Sequence, residues 1–404
     1  MSKQPIEVLI IGAGMYVCGR GTEGYGTILP CVMQAYRDGV VRRIMVTGTQ
    51  ETSIRFLNQQ LENLNQQLGL QVEIEGFPKE DIDPEVYRKA LAQLGPRGCV
   101  IVAVPDHLHG PIVRDVLEAN RPVLVVKPFT PTVEEGQELC QLAQAKNLYG
   151  VVEFHKRWDL ANRKLQEVLE AQRLGIPLYA LVEFSQRKRV PQDIFGGWAE
   201  QTNVFQYLGV HYVDLLAHMF KATPMRAMAV GQFAYLQGCA KQTQDSIQAI
   251  VEWAIPGSDT PFASTFLVNW VDPNSSSAMS YQSIKVVGTK GRYESDQKYR
   301  GQQLVTDEDG IEDINPYFSQ SYSLGKNGRK EYLGYGLESI RTFLDDVQAL
   351  LEKKVTLEEL RKTRPTFQQA LISTAVTEAV VQSLRCHSDW IPIPQVPEMF
   401  AFTS

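Results

Sequence analysis

The sequence lacks a basic surplus, a long apolar run and a paired-cysteine motif, and each absence argues against a class of protein. Its 404 residues include 40 Lys and Arg against 46 Asp and Glu, a net charge of −6, which gives no electrostatic basis for nucleic-acid binding. No apolar run approaches the roughly 20 residues of a membrane-spanning helix. Residues 1–5 lack the layout of a signal peptide. We therefore expect no nucleic-acid partner and no membrane association.

Cysteine is sparse, with six residues at positions 18, 31, 99, 140, 239 and 386 and no CxxC pair. This usage is typical of reduced thiols in a cytoplasmic protein, which is the location we expect. Hydrophobic residues make up 44% of the chain and charged residues 21%. That balance supports sizeable cores and argues against wholesale disorder. The length is typical of two domains.

The first 150 residues alternate between apolar runs and helical stretches. Residues 6–11 read I-E-V-L-I-I, a run too short for a helix and rich in β-branched residues. Continuous apolar runs of this kind are typical of strands buried on both faces of a parallel sheet. Further runs occupy residues 43–47, 99–104, 122–126 and 149–154, with helical stretches at residues 53–68 and 110–119. The alternation predicts an α/β fold with a doubly wound parallel sheet over residues 1–150.

The pattern changes after residue 150. An amphipathic helix is predicted over residues 160–172, and alternating segments typical of strands with one covered face follow it. These segments are residues 179–184, 248–253, 263–268, 283–288 and 291–295, the last two forming a hairpin. Helical periodicity returns at residues 335–351 and 366–384. We expect an α+β domain over residues 151–390, with a large, mostly antiparallel, open-faced sheet, and an extended tail over residues 391–404.

A glycine-rich loop follows the first predicted strand. Gly12 and Gly14 suit a turn in which the backbone approaches a pyrophosphate group. The usual third glycine is replaced by Val17, so we expect the helix to start later, near Thr27, after an enlarged loop. Tyr16 lies in this loop and is a further candidate cofactor contact. The alternative interpretation is a flexible turn without a ligand.

The second predicted strand does not end in an acidic residue. A carboxylate at that position usually binds the ribose 2′-hydroxyl of NAD, but this chain has Thr47 and Gly48 there, with Glu51 just beyond. Without the carboxylate a 2′-phosphate is not repelled, so the pattern slightly favours NADP and leaves NAD open. Three arginines could neutralise such a phosphate, or be ordinary solvated charges: Arg42, Arg43 and Arg55.

A Val-Pro-Asp-His-Leu-His motif ends another predicted strand at residues 104–109. Ligands of open α/β sheets bind outside the carboxyl ends of the strands. Pro105, Asp106 and His109 are therefore candidate cofactor contacts. For the two histidines of the motif we expect a role in shaping the cofactor pocket rather than in chemistry.

The next predicted strand ends in Val-Val-Lys-Pro at residues 125–128. Its carboxyl end belongs to the same edge of the sheet, so Lys127 is placed to face a nicotinamide ring. Pro128 restricts the backbone of Lys127 to extended conformations, which helps to aim the side chain. The alternative is an ordinary surface lysine at a strand end.

Three polar residues align on a predicted helix from Gly209 to residue 220. His211, Asp214 and His218 are separated by three and four residues and so share one face of the helix. An imidazole beside a carboxylate suits general acid–base chemistry, because the carboxylate fixes the ring tautomer and raises its basicity. The alternatives are hydrogen-bonded core histidines and a zinc site, for which no fourth ligand is evident.

In this order the motifs resemble those of the glucose–fructose oxidoreductase, inositol dehydrogenase and MocA (Gfo/Idh/MocA) family. That family carries a Rossmann fingerprint, then T-P-x-x-x-H, then E-K-P, and later G-x-H-x-x-D-x-x-x-H or a variant. The matching segments are residues 12–14, 104–109, 125–128 and 209–218, with weaker counterparts at residues 154–159, 196–198 and 287–291. The resemblance covers residues 6 to about 350.

The chain departs from the family pattern at three points. Val126 replaces the glutamate that customarily precedes the lysine, which removes a side chain that often supports it. Ala199 follows Trp198 where many members have arginine, and residues 203–208 lack the usual glycine run. The last two departures alter the wall of the pocket, so the substrate class is less defined than the fold.

The resemblance implies an NAD(P)-dependent oxidoreductase acting on the CH–OH group of a sugar, cyclitol or related polyol, or on a keto-sugar. His218 would take the hydroxyl proton, Lys127 would hydrogen-bond the same oxygen, and Asp214 would position the substrate or His218. Further candidate substrate contacts are His211, His155, Arg157 and Trp198. No metal ion is expected.

The resemblance also implies a homodimer or homotetramer, since the open face of the second sheet packs against another subunit in the family. Exposed strands with large apolar side chains would need such cover. The side chains expected on this face are Phe184, Trp253, Phe266 and Trp270. Two other functions remain open. One is a nicotinamide-dependent glycosidase that oxidises its substrate transiently, and the other is a regulatory protein that senses dinucleotide.

Overall fold

The structure is a computed structural model that describes residues 4–79, 82–324 and 328–394. The chain divides into two compact units. The first consists of Met1–Phe129, Glu135–Trp158 and Tyr317–Phe367, and the second of Thr130–Glu134, Asp159–Pro316 and Gln368–Ser404.

The regular elements are numbered in chain order. The strands are β1 (Ile6–Ile11), β2 (Val41–Thr47), β3 (Glu75–Phe77), β4 (Gly98–Val102), β5 (Val123–Val126), β6 (Gly150–Glu153), β7 (Pro177–Arg187), β8 (Thr223–Gln232), β9 (Ser246–Ala254), β10 (Phe262–Asp272), β11 (Ser280–Gly288), β12 (Gly291–Asp296), β13 (Gln303–Thr306), β14 (Gly310–Asp313), β15 (Gln320–Tyr322), β16 (Glu331–Leu333) and β17 (Ile391–Pro392). The helices are α1 (Met15–Cys18), α2 (Ile28–Arg37), α3 (Glu51–Leu68), α4 (Val86–Ala92), α5 (His109–Glu118), α6 (Val133–Ala145), α7 (Leu160–Glu170), α8 (Val210–Phe220), α9 (Tyr235–Gly238), α10 (Tyr335–Leu351), α11 (Leu357–Arg361) and α12 (Phe367–Arg385). Among the described helices, none combines the length and low polarity needed to cross a bilayer.

The first unit is built on a six-stranded sheet in the order β3-β2-β1-β4-β5-β6, and every neighbouring pair is parallel. β1 and β4 are buried along their whole length, because their almost uninterrupted aliphatic side chains need apolar cover on both faces. The order is that of a doubly wound dinucleotide-binding sheet. The predicted α/β fold of this part of the chain is confirmed.

Helix α10 lies in the first unit, whereas its place in the sequence predicts the second domain. Its apolar residues Ile340, Phe343 and Val347 recur at helical spacing and are buried in one core with β1 and α2. The amphipathic pattern predicts the helix correctly but does not determine which sheet it covers. The segment Tyr317–Phe367 therefore belongs with the first sheet, and the second unit is interrupted by it.

The second unit contains a seven-stranded sheet in the order β12-β11-β7-β10-β9-β8-β17. Its neighbours are antiparallel, except for the parallel pair β7 and β10. β11 and β12 form the predicted hairpin, with Gly288 opposite Gly291. The mostly antiparallel sheet of the second domain is thus confirmed. Of the predicted tail, Ile391–Pro392 forms β17, and residues 395–404 lie outside the described residues.

The prediction that four large aromatic residues occupy the open face of this sheet is wrong. Phe184, Trp253, Phe266 and Trp270 are all buried. Residues alternate between the two faces of a strand, and these four share the face that packs against α8 and the turn before it, where the Phe205 and Phe266 rings lie 5.4 Å apart. Alternation in the sequence separates the two faces but does not show which one is covered.

Candidate active site

The glycine turn after β1 is locked between neighbouring strands. Gly12 has a φ of +118°, and a Cβ there would overlap the carbonyl oxygen of Ala103, so only glycine fits. The Gly12 N–H donates to the Thr47 carbonyl at 2.8 Å, and the Ala103 N–H donates to the Ile11 carbonyl at 2.8 Å. These bonds fix the turn against the carboxyl ends of β2 and β4.

Gly14 faces open space instead. A Cβ at this position would meet no atom within 4 Å, and its φ of −94° is accessible to any residue. Neither packing nor conformation within the chain therefore requires a glycine here. The bare backbone leaves room for a group to approach the turn, which fits the pyrophosphate of a dinucleotide.

The enlarged loop carries an arginine that the sequence analysis did not single out. α2 begins at Ile28 with Thr27 as its N-cap residue, which confirms the predicted helix start, and the single turn α1 precedes it. Between them, the Nη1 of the exposed Arg20 donates to Ser53 Oγ at the start of α3, at 2.5 Å. A cation is thereby held beside the residues that follow β2. In the sequence, its position between Gly19 and Gly21 could have identified it as part of the glycine-rich loop.

Two of the arginines considered for a 2′-phosphate lie at the wrong end of β2. Arg42 and Arg43 are at the amino end of the strand, where Arg42 pairs with Glu7 at 2.6 Å and Arg43 with Glu75 at 2.6 Å. Ligands bind at the opposite edge of such a sheet, so these two residues are withdrawn as candidates. In a third ion pair, Arg55 contacts Glu51 on the first turns of α3 at 2.8 Å. Thr47 and Gly48, by contrast, lie at the predicted carboxyl end.

His109 ties the end of β4 to the chain after β5. Its Nδ1 lies 2.6 Å from the Pro128 carbonyl oxygen and its Nε2 lies 3.0 Å from that of Val104. The ring is fully buried, and this burial lowers the pKa of the imidazole. Because both nitrogens contact the backbone, His109 holds the two strand ends together, and its role in shaping a cofactor pocket stays a prediction. Pro105 and the buried Asp106 start the turn that carries it.

Lys127 directly follows β5 at the edge where the glycine turn lies. It is partly buried, and burial lowers the pKa of its ammonium group from 10.5 to about 8. The negative charges of Asp106 and then Glu153 oppose this effect. Pro128, whose carbonyl oxygen His109 contacts, fixes the backbone beyond the lysine. Lys127 is thus a partly buried cation with a pKa of about 8.

Glu153, at the end of β6, is a buried carboxylate that contacts several polar side chains. It accepts hydrogen bonds from the Tyr16 hydroxyl at 3.0 Å and the Ser339 hydroxyl at 2.6 Å, and both its oxygens lie within 3.1 Å of His155 Nδ1. Burial and the nearby Glu153 raise the pKa of the Tyr16 phenol. The sequence analysis missed Glu153 and Ser339. The sequence could have identified Glu153, because it is an acidic residue at the end of an otherwise apolar predicted strand.

His155, a predicted substrate contact, is buried in the first unit. Its ring stacks on Tyr335 with centroids 5.6 Å apart and also contacts Tyr16 and Phe318. The structure therefore places it among aromatic rings and next to Glu153. Arg157, two residues further on, is partly buried in the same short helical turn.

The second unit carries the predicted acid–base helix. α8 matches the helix predicted from Gly209 to residue 220. A π-helical turn over Phe205–Gly209 precedes it. His211 and Asp214 are buried and His218 is partly buried. Their helical spacing keeps all three side chains on one side. Within the described residues, no cluster of three or more His, Cys, Asp or Glu could hold a metal ion, so the zinc alternative gains no support.

Trp198 belongs to an aromatic group in the second unit. Its ring lies 4.1 Å from that of Phe195 and 6.1 Å from that of Tyr207, and Trp270 contacts the other side of the group. It is partly exposed in the short segment Gly196–Gln201. Packed rings of this kind form a rigid apolar surface.

Comparison with solved structures identifies the same fold elsewhere. An inositol dehydrogenase homologue of Azotobacter vinelandii, complexed with NADH and myo-inositol, superimposes with a TM-score of 0.68 at 19% identity, over 96% of this chain and 98% of that chain. A scyllo-inositol dehydrogenase of Lactobacillus casei, with bound NAD(H) and scyllo-inositol, gives 0.65 at 15% identity, over 96% and 99%. At these identities the similarity shows the fold.

Curated relatives match over shorter stretches. An uncharacterized oxidoreductase of Schizosaccharomyces pombe is 31% identical over 169 residues, 40% of this chain and 44% of that protein. The Bacillus subtilis protein named scyllo-inositol 2-dehydrogenase (NADP(+)) IolW is 30% identical over 140 residues, 32% and 37% of the two chains. The chain thus matches less than half the length of either relative.

Two family models match the chain in the expected order. The oxidoreductase family model with an NAD-binding Rossmann fold matches residues 56–154, and the GFO/IDH/MocA C-terminal domain model matches residues 162–294. Together they cover more than half of the sequence. The protein belongs to the Gfo/Idh/MocA oxidoreductase family.

Proposed function

We propose that the protein transfers a hydride between a nicotinamide dinucleotide and a CH–OH carbon of a cyclitol, sugar or related polyol. The observation that carries this proposal is the position of Lys127, a partly buried cation directly after the carboxyl end of β5. It lies in the same unit as a glycine turn that fits a dinucleotide. The solved structures of similar fold that contain an inositol and NAD(H) support the substrate class.

The chain would hold the dinucleotide at the carboxyl edge of its first sheet. Gly12 and Gly14 would bind the pyrophosphate, and Thr47 with Gly48 would line the adenosine ribose. Once bound, the nicotinamide supplies the hydride acceptor in oxidation and the donor in reduction.

Three side chains would act on the substrate. Lys127 donates a hydrogen bond to the reacting oxygen and stabilises the negative charge that develops there. His218 takes the hydroxyl proton on a ring nitrogen during oxidation and returns it during reduction. Asp214, one turn earlier on α8, orients the imidazole or a substrate hydroxyl. His211, Arg157 and Trp198 remain candidate substrate contacts.

NADP is the cofactor we favour. Residues 47–50 are Thr, Gly, Thr and Gln, so no carboxylate at the end of β2 repels a 2′-phosphate. Arg20 is anchored to Ser53 close to this strand end and supplies a positive charge. The relative named as an NADP(+)-dependent dehydrogenase is consistent with this preference.

A substrate screen tests the proposal. Purified protein is incubated with inositols, other cyclitols, sugars and keto-sugars, with NAD or NADP in parallel, and nicotinamide absorbance is followed. Turnover that disappears in Lys127→Met is the expected result. Glycoside hydrolysis without net nicotinamide turnover would support the glycosidase alternative, and tight dinucleotide binding without turnover of any compound would support the regulatory one.

We also propose that the protein self-associates through the outer face of the second sheet. Although the four aromatic residues first expected there are buried, neighbouring strands place other apolar side chains on that face, among them Tyr179, Val230 and Ile250. Tyr179 and Val230 are more than 40% exposed, and a second copy of the sheet would cover them. Light scattering at micromolar concentration should give a dimer or tetramer, and Ile250→Asp should shift it toward monomer. A monomeric wild-type protein would contradict the proposal.

A further inference from the structure

The usual glutamate before the lysine is missing from this chain, and the neighbouring strand carries a carboxylate in its place. Position 126 is a valine. In the parallel pairing of β5 with β6, the residue opposite Val126 is Glu153. Paired residues in adjacent parallel strands project to the same face of the sheet. The side chain of a glutamate at position 126 would therefore start next to that of Glu153, on the same face of the sheet.

The Glu153 carboxylate is held in one orientation. It is 3% exposed and receives hydroxyl hydrogen bonds from two separate segments, Tyr16 on α1 and Ser339 on α10, besides its contact with His155. Hydrogen bonds to a carboxylate are stronger than those between neutral groups. Contacts from three separate parts of the chain therefore satisfy the buried carboxylate and fix its orientation.

Lys127 is influenced electrostatically from both sides of β5. Asp106 and His109 contribute from the segment after β4, and Glu153 contributes from β6. Around Glu153 the further titratable groups are His155 and Tyr16, and Tyr335 stacks on His155. Asp106 and Glu153 are carboxylates that favour the ammonium form of Lys127; Asp106 lies in the turn after β4 and Glu153 ends β6, and these are the two strands next to β5.

We propose that Glu153 is a positioning residue for Lys127, supplying from β6 the negative charge that a glutamate at position 126 would supply. The charge keeps Lys127 protonated, so that it can donate a hydrogen bond to the reacting oxygen. Asp106 acts in the same sense from the other side. The catalytic consequence rests on the proposed function, whereas the effect on the lysine is a property of the protein without substrate.

The test measures proton affinity directly. The full-length protein, free of cofactor, receives short pulses of isotopically labelled acetic anhydride at a series of pH values, and peptide mapping by mass spectrometry gives the acetylation rate at Lys127. That rate follows the fraction of free amine, so its midpoint reports the pKa. Removing an opposite charge at close range lowers a lysine pKa by about one unit or more. Glu153→Gln should lower the midpoint accordingly.

Three further variants make the result specific. Glu7→Gln removes another buried carboxylate of the same sheet, at its opposite end beside Arg42, and should leave the Lys127 midpoint unchanged. Asp106→Asn should lower it, and Glu153→Gln combined with Val126→Glu should restore it toward the wild-type value. If Glu153→Gln does not fold, the replacement is Glu153→Met combined with Ser339→Ala and Tyr16→Phe, which removes the carboxylate together with both hydroxyl donors.

The outcomes separate the two proposals. An unchanged midpoint in folded Glu153→Gln, or a midpoint lowered equally by Glu7→Gln, refutes the role of Glu153 even if the protein is an active dehydrogenase. A lowered midpoint that Val126→Glu restores supports that role even if no substrate turns over. In that second case the proposed function alone fails. With a substrate available, Glu153→Gln should also move the alkaline limb of the kcat profile to lower pH.

Discussion

Gly12 and Gly14 are two residues apart, and the structure predicts opposite consequences for replacing them. Gly12→Ala places a Cβ in the carbonyl oxygen of Ala103 at a backbone φ of +118°. A strained backbone of this kind costs about 1–3 kcal/mol. Displacing the turn also weakens the bond from Gly12 N–H to Thr47, worth about 1 kcal/mol.

The sum predicts a loss of about 2–4 kcal/mol for Gly12→Ala. For a folding unit of roughly 200 residues this lowers Tm by about 5–15 °C. Gly14→Val meets no neighbouring atom and needs no unusual φ, so its stability should change by about 0.5 kcal/mol or less. Its side chain would occupy the space offered to pyrophosphate, and dinucleotide affinity should fall at least about tenfold, a loss of roughly 1.4 kcal/mol of binding.

The assay pairs thermal unfolding with calorimetric titration of NAD and NADP. Gly12→Ala should lose stability, and Gly14→Val should lose affinity at an unchanged Tm. A Gly12→Ala protein as stable as wild type would refute the steric reasoning about the turn. Unchanged affinity in Gly14→Val would refute the assignment of the dinucleotide site while leaving the fold intact.

Three other predictions concern chemistry and cofactor choice. In steady-state kinetics with a turnover substrate, Lys127→Met should lower kcat about 10²–10³-fold, and His218→Ala should lower it about 10²–10⁴-fold. The double variant should lose less kcat than the product of the two single losses. If both single variants keep the wild-type kcat, the mechanism is excluded. Because burial lowers the pKa of Lys127 to about 8, the protonated form predominates below that pH, so kcat should decline as pH rises through about 8, and Lys127→Arg should move this decline to higher pH. Arg20→Gln should weaken NADP binding by about tenfold while changing NAD binding little; equal losses for both cofactors would place Arg20 away from the 2′-phosphate.

Local sequence patterns predicted five of the six strands of the first sheet and missed the three-residue edge strand β3. The apolar run before Gly12 had few alternatives to a buried parallel strand, and Thr27 marked a helix start that the structure confirms. Patterns of this kind work because the burial of a strand and the start of a helix after a glycine-rich loop depend on residues close together in the chain.

Partnership between distant segments could not be predicted in the same way. The helical period at residues 335–351 predicts an apolar face, but it does not show whether the first or the second sheet packs against that face. The alternation around Trp253 shows two faces and not which one meets α8. Nothing in the chain order reveals that Glu153 pairs with Val126, because register between strands is set by the assembled sheet.

The return of α10 to the first unit has a consequence for synthesis in the cell. The six-stranded sheet is complete in sequence by Glu153, but part of its cover is encoded near residue 350. At about 5–20 residues per second, roughly 200 further residues take about 10–40 s to be made. Throughout that interval the emerging chain keeps uncovered the apolar surface that Ile340 and Phe343 later bury. This unit can therefore complete its fold only after α10 has been made, and fragments that stop before α10 should be recovered as aggregates or bound to chaperones.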